Sequence, residues 1–320
     1  MTAPLVLNAD DITARLKRVD AVAAVRNGFI AYSQGKAVIP APGELNFSDP
    51  PGDAHIKYGR LEGGDHYVVK IASGFPENMR RFQVPTSQGL MLLFDANTGA
   101  PRAVLFDEGL LTRARTAIAG ALATEVLAPS QIDCIGVLGS GVQARLQLEY
   151  VKDVTLCRTV KLWSPDPRRR QDCAADLAKT GFDATAVSTP AEVAKGSQLI
   201  ITTTRSESPL LSAADVEPGT HVTAVGSDTT AKTELASDLL GKADFVVADS
   251  KSQCQTRGEI SHALRAGAIN NDDVIELGAV LGGMAEARSA DHQITIADLT
   301  GVAVQDLAIA EAVFQADHPR

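Results

Sequence analysis

The sequence predicts an α/β protein in two parts, an α+β portion followed by a parallel sheet with crossover helices. Three observations predict it. Short alternating segments separated by turns fill the first third of the chain. Apolar strand-like runs then alternate with helical stretches. Between the two textures a strand runs into a glycine-rich turn at Gly139. A chain of 320 residues is long enough for two medium domains or one large one.

Asn8-Ala-Asp-Asp11 precedes an apolar-periodic run (Ile12, Leu16, Val19, Val22, Val25), which predicts one capped helix reaching Phe29. The stretch from Val38 to Gly52 is rich in proline and glycine. Alternating segments follow at His55–Tyr58, His66–Ala72, Gly89–Asp95 and Ala103–Asp107, with Asp95-Ala-Asn-Thr-Gly99 as a turn between the last two. They predict a mostly antiparallel sheet. Leu111–Leu127 is Ala-rich and helical in pattern. Strands of a parallel sheet are predicted at Cys134–Leu138, Val160–Trp163, Ala184–Val187, Gln198–Thr203, His221–Val225 and Phe245–Ala248. The tail from Asp298 to Ala316 has a helical pattern.

The composition excludes several function classes. Hydrophobic residues make up 45% and charged residues 22%, the balance of a globular protein with ample core. A net charge of -9 argues against nucleic acid or an anionic membrane as partner. No apolar run is long enough to span a bilayer, and Met1–Asp10 lacks the pattern of a signal peptide. Cys134, Cys157, Cys173 and Cys254 show no CxxC spacing, which predicts reduced thiols and a cytoplasmic location. The histidines (His55, His66, His221, His262, His292, His318) form no HExxH or Cys/His cluster, so no metal site is expected.

The sharpest motif is Cys134-Ile-Gly-Val-Leu-Gly139-Ser140-Gly141-Val142-Gln143-Ala144, a strand entering GxGxxA and then a helical run. Gly139 permits the tight turn, Gly141 admits a pyrophosphate, and Ala144 allows close helix–strand packing. This is the fingerprint of a Rossmann dinucleotide-binding domain. At the end of the next strand, Ser164 is placed to hydrogen-bond a ribose. Asp166 could take a 2′-hydroxyl and favour NAD, whereas Arg168 or Arg169 could hold a 2′-phosphate and favour NADP, unless they simply form a solvated helix start. Asp166 tips the reading toward NAD.

Several residues are candidates for handling substrate. Lys70 sits inside the apolar run Val68–Ala72 and is either an edge cation or points into a pocket. Arg115 opens the Ala-rich helix and could clamp a carboxylate, although a surface arginine is the ordinary alternative. Asp228, after the predicted strand His221–Val225, could relay a proton or merely cap a helix.

Taken together, these segments resemble the ornithine cyclodeaminase/mu-crystallin family. The motifs are Lys70 in Val-Val-Lys-Ile-Ala-Ser-Gly-Phe-Pro, Arg115-Thr-Ala before the Ala-rich helix, and Gly139-Ser-Gly-Val-Gln-Ala. Val225-Gly-Ser-Asp228, Lys232-Thr-Glu-Leu, Gln255-Thr-Arg-Gly-Glu259 and Asp298-Leu-Thr-Gly-Val-Ala-Val-Gln-Asp306 complete the ordered set. The resemblance implies a substrate-binding and dimerisation domain at 1–116 and 300–320, a Rossmann NAD(P)-binding domain at 117–299, and a homodimer. It implies that Arg115 binds a substrate carboxylate, that Lys70 contacts that carboxylate or the imine nitrogen, and that Asp228 is the acid/base. Val142, Gln143, Ser164, Thr203 and Val225-Gly226-Ser227 would line the cofactor, with Lys232 nearby and Leu299 and Thr300 beside the nicotinamide.

The chain departs from the ornithine-binding pattern in one place. Ile39–Phe47 carries no arginine where those relatives have one. His55 and Lys57, on one strand face, are expected to supply positive charge instead, with Arg80 and Arg81 adding to it. That inventory favours a small dicarboxylic imino acid, with reduction of iminosuccinate to aspartate as the best fit. The alternatives are ornithine cyclodeamination, reduction of a cyclic ketimine such as pyrroline-2-carboxylate, and a non-enzymatic binding role.

Overall fold

The computed structural model describes residues 3–317. Residues 1, 2 and 318–320 of the predicted substrate domain, His318 included, lie outside the described residues. The chain divides into two compact units. One runs to Arg115 and resumes at Val302; the other is Thr116–Gly301.

The first unit is built on strands β1 (Leu5–Leu7), β2 (Ala37–Val38), β3 (Gly43–Ser48), β4 (Pro51–Leu61), β5 (His66–Gly74), β6 (Ser87–Asp95) and β7 (Pro101–Leu105). They lie in the order β1-β7-β6-β5-β4-β2, with β3 also on β4; β1 joins parallel and the rest are antiparallel. The β6–β7 turn forms where the sequence marks it. Asp95 Oδ1 accepts from the Asn97 and Thr98 amides and from Thr98 Oγ1, while Gly99 takes φ +71°. The proline- and glycine-rich stretch after Val38 contains β3.

One helix predicted to Phe29 is two, Ala9–Leu16 and Ala21–Ser33. Asn8 caps the first helix as expected, and does so in a capping box with Asp11. Asp20 then accepts from the Ala23 amide, so a second cap interrupts an apolar period that reads as continuous. The helix Ala303–Gln315 packs against Ala21–Ser33 and against β4, β5 and β6. A Cβ at Gly28 would lie 3.3 Å from both Ala308 Cβ and the Val304 carbonyl oxygen, so glycine sets how near the two helices come.

The sheet therefore has two unlike faces. Val68, Lys70, Met91 and Leu93 are buried on the face that packs against Ala303–Gln315. The alternate residues Ile56, Tyr58, Ile71, Leu90 and Leu92 form the other face, where Tyr58 is 40% and Ile71 39% exposed in the single chain.

The second unit holds β8 (Ile135–Leu138), β9 (Thr159–Trp163), β10 (Asp183–Ala186), β11 (Leu199–Thr202), β12 (Glu207–Leu211), β13 (His221–Ala224), β14 (Thr233–Leu235), β15 (Phe245–Ala248), β16 (Val274–Glu276) and β17 (Thr295–Asp298). An all-parallel sheet runs β10-β9-β8-β11-β13-β17-β15-β16, and β12 pairs separately with β14. The strand order reverses between β8 and β11, the switch point of a doubly wound Rossmann sheet. Both faces are covered. Leu199 and Ile201 enter one apolar cluster and Ile200 the other, each fully buried and each contributing about 2 kcal/mol by burial.

β17 corrects the reading of the tail. Asp298 ends a central strand, and the helix begins only at Ala303. Among the described residues no helix is long and apolar enough to cross a membrane, and no His/Cys/Asp/Glu group is arranged to hold a metal ion. All four cysteines are free thiols.

Candidate active site

In the first unit, β4 and β5 pair so that Lys57 lies directly opposite Lys70. Two lysines in cross-strand register repel each other, and here both are buried, at 8% and 2% exposure. Arg115, on the helix Leu110–Leu127, joins them at 6%. The counter-charge comes from the helix Ala303–Gln315. Asp306 Oδ1 accepts from Lys70 Nζ at 2.9 Å and from Arg115 Nε at 3.0 Å, and Arg115 Nη1 donates to Gln305 Oε1 at 3.1 Å. Burial, then the Arg115 guanidinium, lower the Lys70 ammonium to about 7, against the pull of Asp306. Burial alone would raise the Asp306 carboxyl, but Lys70 and Arg115 overcome it and hold it below the usual carboxylate range. Asp107, 1% exposed and accepting from the Leu111 amide, also feels the Lys70 charge, so the cluster sets three basic side chains against the carboxyls of Asp306 and Asp107.

Two predicted members of this set stand apart from it. Arg80 is a correction: its side chain is 75% exposed and pairs with Glu77 one helical turn away, because Asn78–Phe82 lies on the surface. Arg81, 41% exposed, likewise pairs with Glu77. His55 shares a strand face with Lys57, but its ring lies 3.6 Å from Glu44 and 3.4 Å from Asp53. Any charge on it is balanced locally and adds nothing to the cationic surplus.

In the second unit, β8 enters the turn Gly139-Ser140-Gly141. Gly139 adopts φ +122°, and a Cβ there would fall 3.1 Å from the Thr203 carbonyl oxygen and closer still to its hydroxyl. A Cβ at Gly141 would meet nothing within 4 Å, so the backbone is open to a ligand on that side. Gly141 caps the helix Val142–Val151 without a side chain, and Ala144 is fully buried beneath it. A helix start without a side-chain cap, over an open glycine, presents backbone N–H groups, and these residues fit a dinucleotide pyrophosphate.

Ser164 lies at the end of β9, 4% exposed, donating to the Asp166 carbonyl oxygen. The Asp166 carboxylate caps the next helix, accepting from the Arg168 and Arg169 amides. That occupies the group expected to meet a 2′-hydroxyl. Arg168 is exposed on the first turn of that helix. Thr203 follows β11, its amide donating to the Leu138 carbonyl oxygen beside the glycine turn.

The turn after β13 carries Val225, Gly226, Ser227 and Asp228. Ser227 Oγ donates to the Lys232 carbonyl oxygen at 2.6 Å, and Lys232 Nζ lies 2.6 Å from Asp228 Oδ1. Asp228 is therefore in an ion pair, not a helix cap. Leu299 and Thr300 follow β17; Thr300 Oγ1 donates to Asp249 and receives Gln253 Nε2. Gln143 accepts from Gln147 Nε2 at 3.3 Å.

Sequence reasoning gave no role to Asp306, Gln305, Glu234 or Glu259, all 1% exposed or less. An acid and an amide inside the apolar pattern Ala-Val-Gln-Asp-Leu-Ala were the available signal for the first two.

The chain matches the family model described as the ornithine cyclodeaminase/mu-crystallin family over residues 2–318. It is similar to an archaeal alanine dehydrogenase dimer with bound NAD, at 30% identity and a TM-score of 0.88 over 98% of this chain and 95% of that one. It is also similar to the iminosuccinate reductase of Paracoccus denitrificans in complex with NAD+ (32% identity, TM-score 0.86, 98% and 96% covered). A third likeness is to the pyrroline-2-carboxylate reductase of Thermococcus litoralis in complex with NADH and L-proline (27% identity, TM-score 0.90, 98% and 97% covered).

Proposed function

Because the chain belongs to the ornithine cyclodeaminase/mu-crystallin family, we propose that it is an NAD-dependent oxidoreductase acting on the C–N bond of a small dicarboxylic imino or amino acid. Reduction of iminosuccinate to aspartate is the leading candidate. One observation carries the choice of substrate. Lys57, Lys70 and Arg115 are buried together beside Asp306, with the buried Asp107 carboxyl also near enough to Lys70 to feel its charge. A surplus of buried cations is stabilised by a ligand that brings two carboxylates, more than by one that brings an ammonium group as ornithine does.

In this reading Arg115, its plane fixed by Asp306 and Gln305, grips the α-carboxylate. A carboxylate near Lys70 draws a proton back onto its amine. Lys57 takes the second carboxylate. Gly139, Ser140, Gly141, Val142 and Gln143 hold the pyrophosphate, Ser164 a ribose, and Thr203, Val225, Gly226, Ser227, Lys232, Leu299 and Thr300 the remainder of the dinucleotide. When bound, the nicotinamide supplies the hydride for the imine carbon. Asp228, with Lys232 beside it, manages the proton at the nitrogen.

The test is to follow nicotinamide absorbance with oxaloacetate plus ammonia, with pyrroline-2-carboxylate, and with ornithine. Consumption of NADH with the first alone is the expected result; net turnover of ornithine without net change in NADH would make the protein a cyclodeaminase. In the variant Lys57→Ala, kcat/KM for the dicarboxylic imine is expected to fall about 10–100-fold, the loss of one charge-assisted contact, with the KM for NADH unchanged. An unchanged kcat/KM would refute the dicarboxylate.

We further propose a homodimer formed through the face of Ile56, Tyr58, Ile71, Leu90 and Leu92. A contiguous apolar sheet face is unusual on a monomer, and the archaeal alanine dehydrogenase is a dimer. Sedimentation should give twice the 33.6 kDa chain mass, and Ile71→Lys should give the monomer. A wild-type monomer at micromolar concentration would exclude this interface.

A further inference from the structure

Three buried carboxyl groups of the second unit form a chain that the proposed chemistry does not use. Asp298, at the end of β17, accepts from the backbone amides of Glu259 and Ile260, the latter at 2.8 Å. Glu259 in turn grips β14: its Oε1 accepts from the Glu234 amide at 2.7 Å, and its Oε2 from the Leu235 amide at 3.2 Å and Thr233 Oγ1 at 3.0 Å. Glu234 then reaches back to the strand ends. Its Oε2 accepts from Thr202 Oγ1 at 2.7 Å and from the Gly226 amide at 2.9 Å, and its Oε1 from the Thr204 amide at 2.5 Å. Each carboxyl thus holds the backbone that carries the next. Asp298, Glu259 and Glu234 are 0%, 1% and 0% exposed.

Burying acids so close together is costly, and the cost shows. Burial and then the Glu234 charge push Glu259 up to about 7; burial and then Glu259 push Asp298 well up. Hydrophobic residues would fill the same space at lower cost. What they could not do is bind the Gly226 and Thr204 amides. Those amides belong to the ends of β13 and β11, and two residues past Gly226 is Asp228. The fit at Gly226 is close: a Cβ there would lie 2.2 Å from the Thr204 carbonyl oxygen and 2.5 Å from Glu234 Oε2.

We propose that Glu234, itself fixed by Glu259 and Asp298, is a positioning residue that pins the Val225–Asp228 turn and so sets both the cofactor contact and the placement of Asp228. This rests on the reading above that the turn serves cofactor and proton transfer. An isosteric amide tests it. Glutamine at 234 would aim N–H groups at the donors that Glu234 now accepts from, whereas it would leave Lys57, Lys70 and Arg115 untouched.

The experiment titrates NADH against the emission of the single tryptophan, Trp163, at the end of β9, and measures kcat with oxaloacetate plus ammonia. For Glu234→Gln, the Kd for NADH should rise and kcat should fall, each at least tenfold, with the KM for the imino acid within threefold of wild type. Thr202→Val removes one hydrogen bond to Glu234 and should move both quantities the same way by a smaller factor; it decides the matter if Glu234→Gln does not fold. A folded variant with a lower melting point but unchanged Kd and kcat would make Glu234 a core residue only and overturn the proposal. Wild-type protein that fails to bind NADH would overturn the cofactor reading, and this inference with it. Wild-type protein that binds NADH but ignores the imine leaves the Kd arm to decide, so the substrate can be wrong while the inference stands.

Discussion

Replacing Lys70 by methionine is expected to lower kcat/KM for a carboxylate substrate by about 10²–10³, the loss of a charge-assisted contact in a dry site worth roughly 3–4 kcal/mol. The same substitution leaves Asp306 with less compensation, and breaking a buried pair costs about 3–5 kcal/mol of stability. The two effects separate in a double variant. Lys70→Met with Asp306→Asn should recover only part of the melting temperature, because the amide oxygen can still accept from Arg115 but no longer balances its charge, and none of the activity. Recovery of activity would show that Lys70 serves the fold alone. Wild-type pH dependence gives a second check. Lys70 loses its proton near pH 7 in the folded chain but near 10.5 when unfolded. Between those values the unfolded chain holds the extra proton, so stability rises with pH. Carboxylate capture by the free enzyme needs the ammonium, so kcat/KM falls as pH rises above about 7. Stability and activity moving in opposite directions over this window is the signature expected; a kcat/KM that stays flat from pH 6 to 9 would exclude a binding role for the Lys70 charge.

Asp228→Asn should lower kcat by about 10²–10⁴ with little change in the KM for either substrate, as expected for loss of a proton-transfer group. The carboxylate stands 44% exposed on the turn after β13, against Lys232 Nζ. It is thus anchored yet open to a ligand and to water. Asparagine preserves size and one acceptor for Lys232, so stability should change little. A variant with wild-type kcat would move the proton-transfer role elsewhere.

The parallel sheet was legible because each buried strand is a short apolar run closed by turn residues, and the glycine turn because its spacing follows from the space a pyrophosphate needs. β17 was less so, since Thr295–Asp298 is followed almost at once by the helical pattern from Ala303. The break at Asp20 was masked by Val19, which keeps the apolar period alive across it. In the buried cluster of the first unit, Lys70 and Arg115 could be singled out one at a time, but their shared partner could not. Asp306 lies 236 and 191 residues from them along the chain, and only the fold brings it there. Arg80 shows the converse: nearness in sequence to Lys70 did not survive the chain reversal at Asn78–Phe82.

The return of Ala303–Gln315 to the first unit bears on how the molecule is made. Its buried face supplies Val304, Leu307 and Val313 to the N-terminal apolar layer, as well as Asp306 to the lysines. On the ribosome, nearly the entire Rossmann unit must emerge before that helix does. The antiparallel sheet accordingly waits, half covered and with Lys70 lacking its Asp306 partner, until translation is almost over. Vectorial synthesis thus favours completion of the nucleotide-binding half first and leaves the half that holds Lys70 and Arg115 to close last.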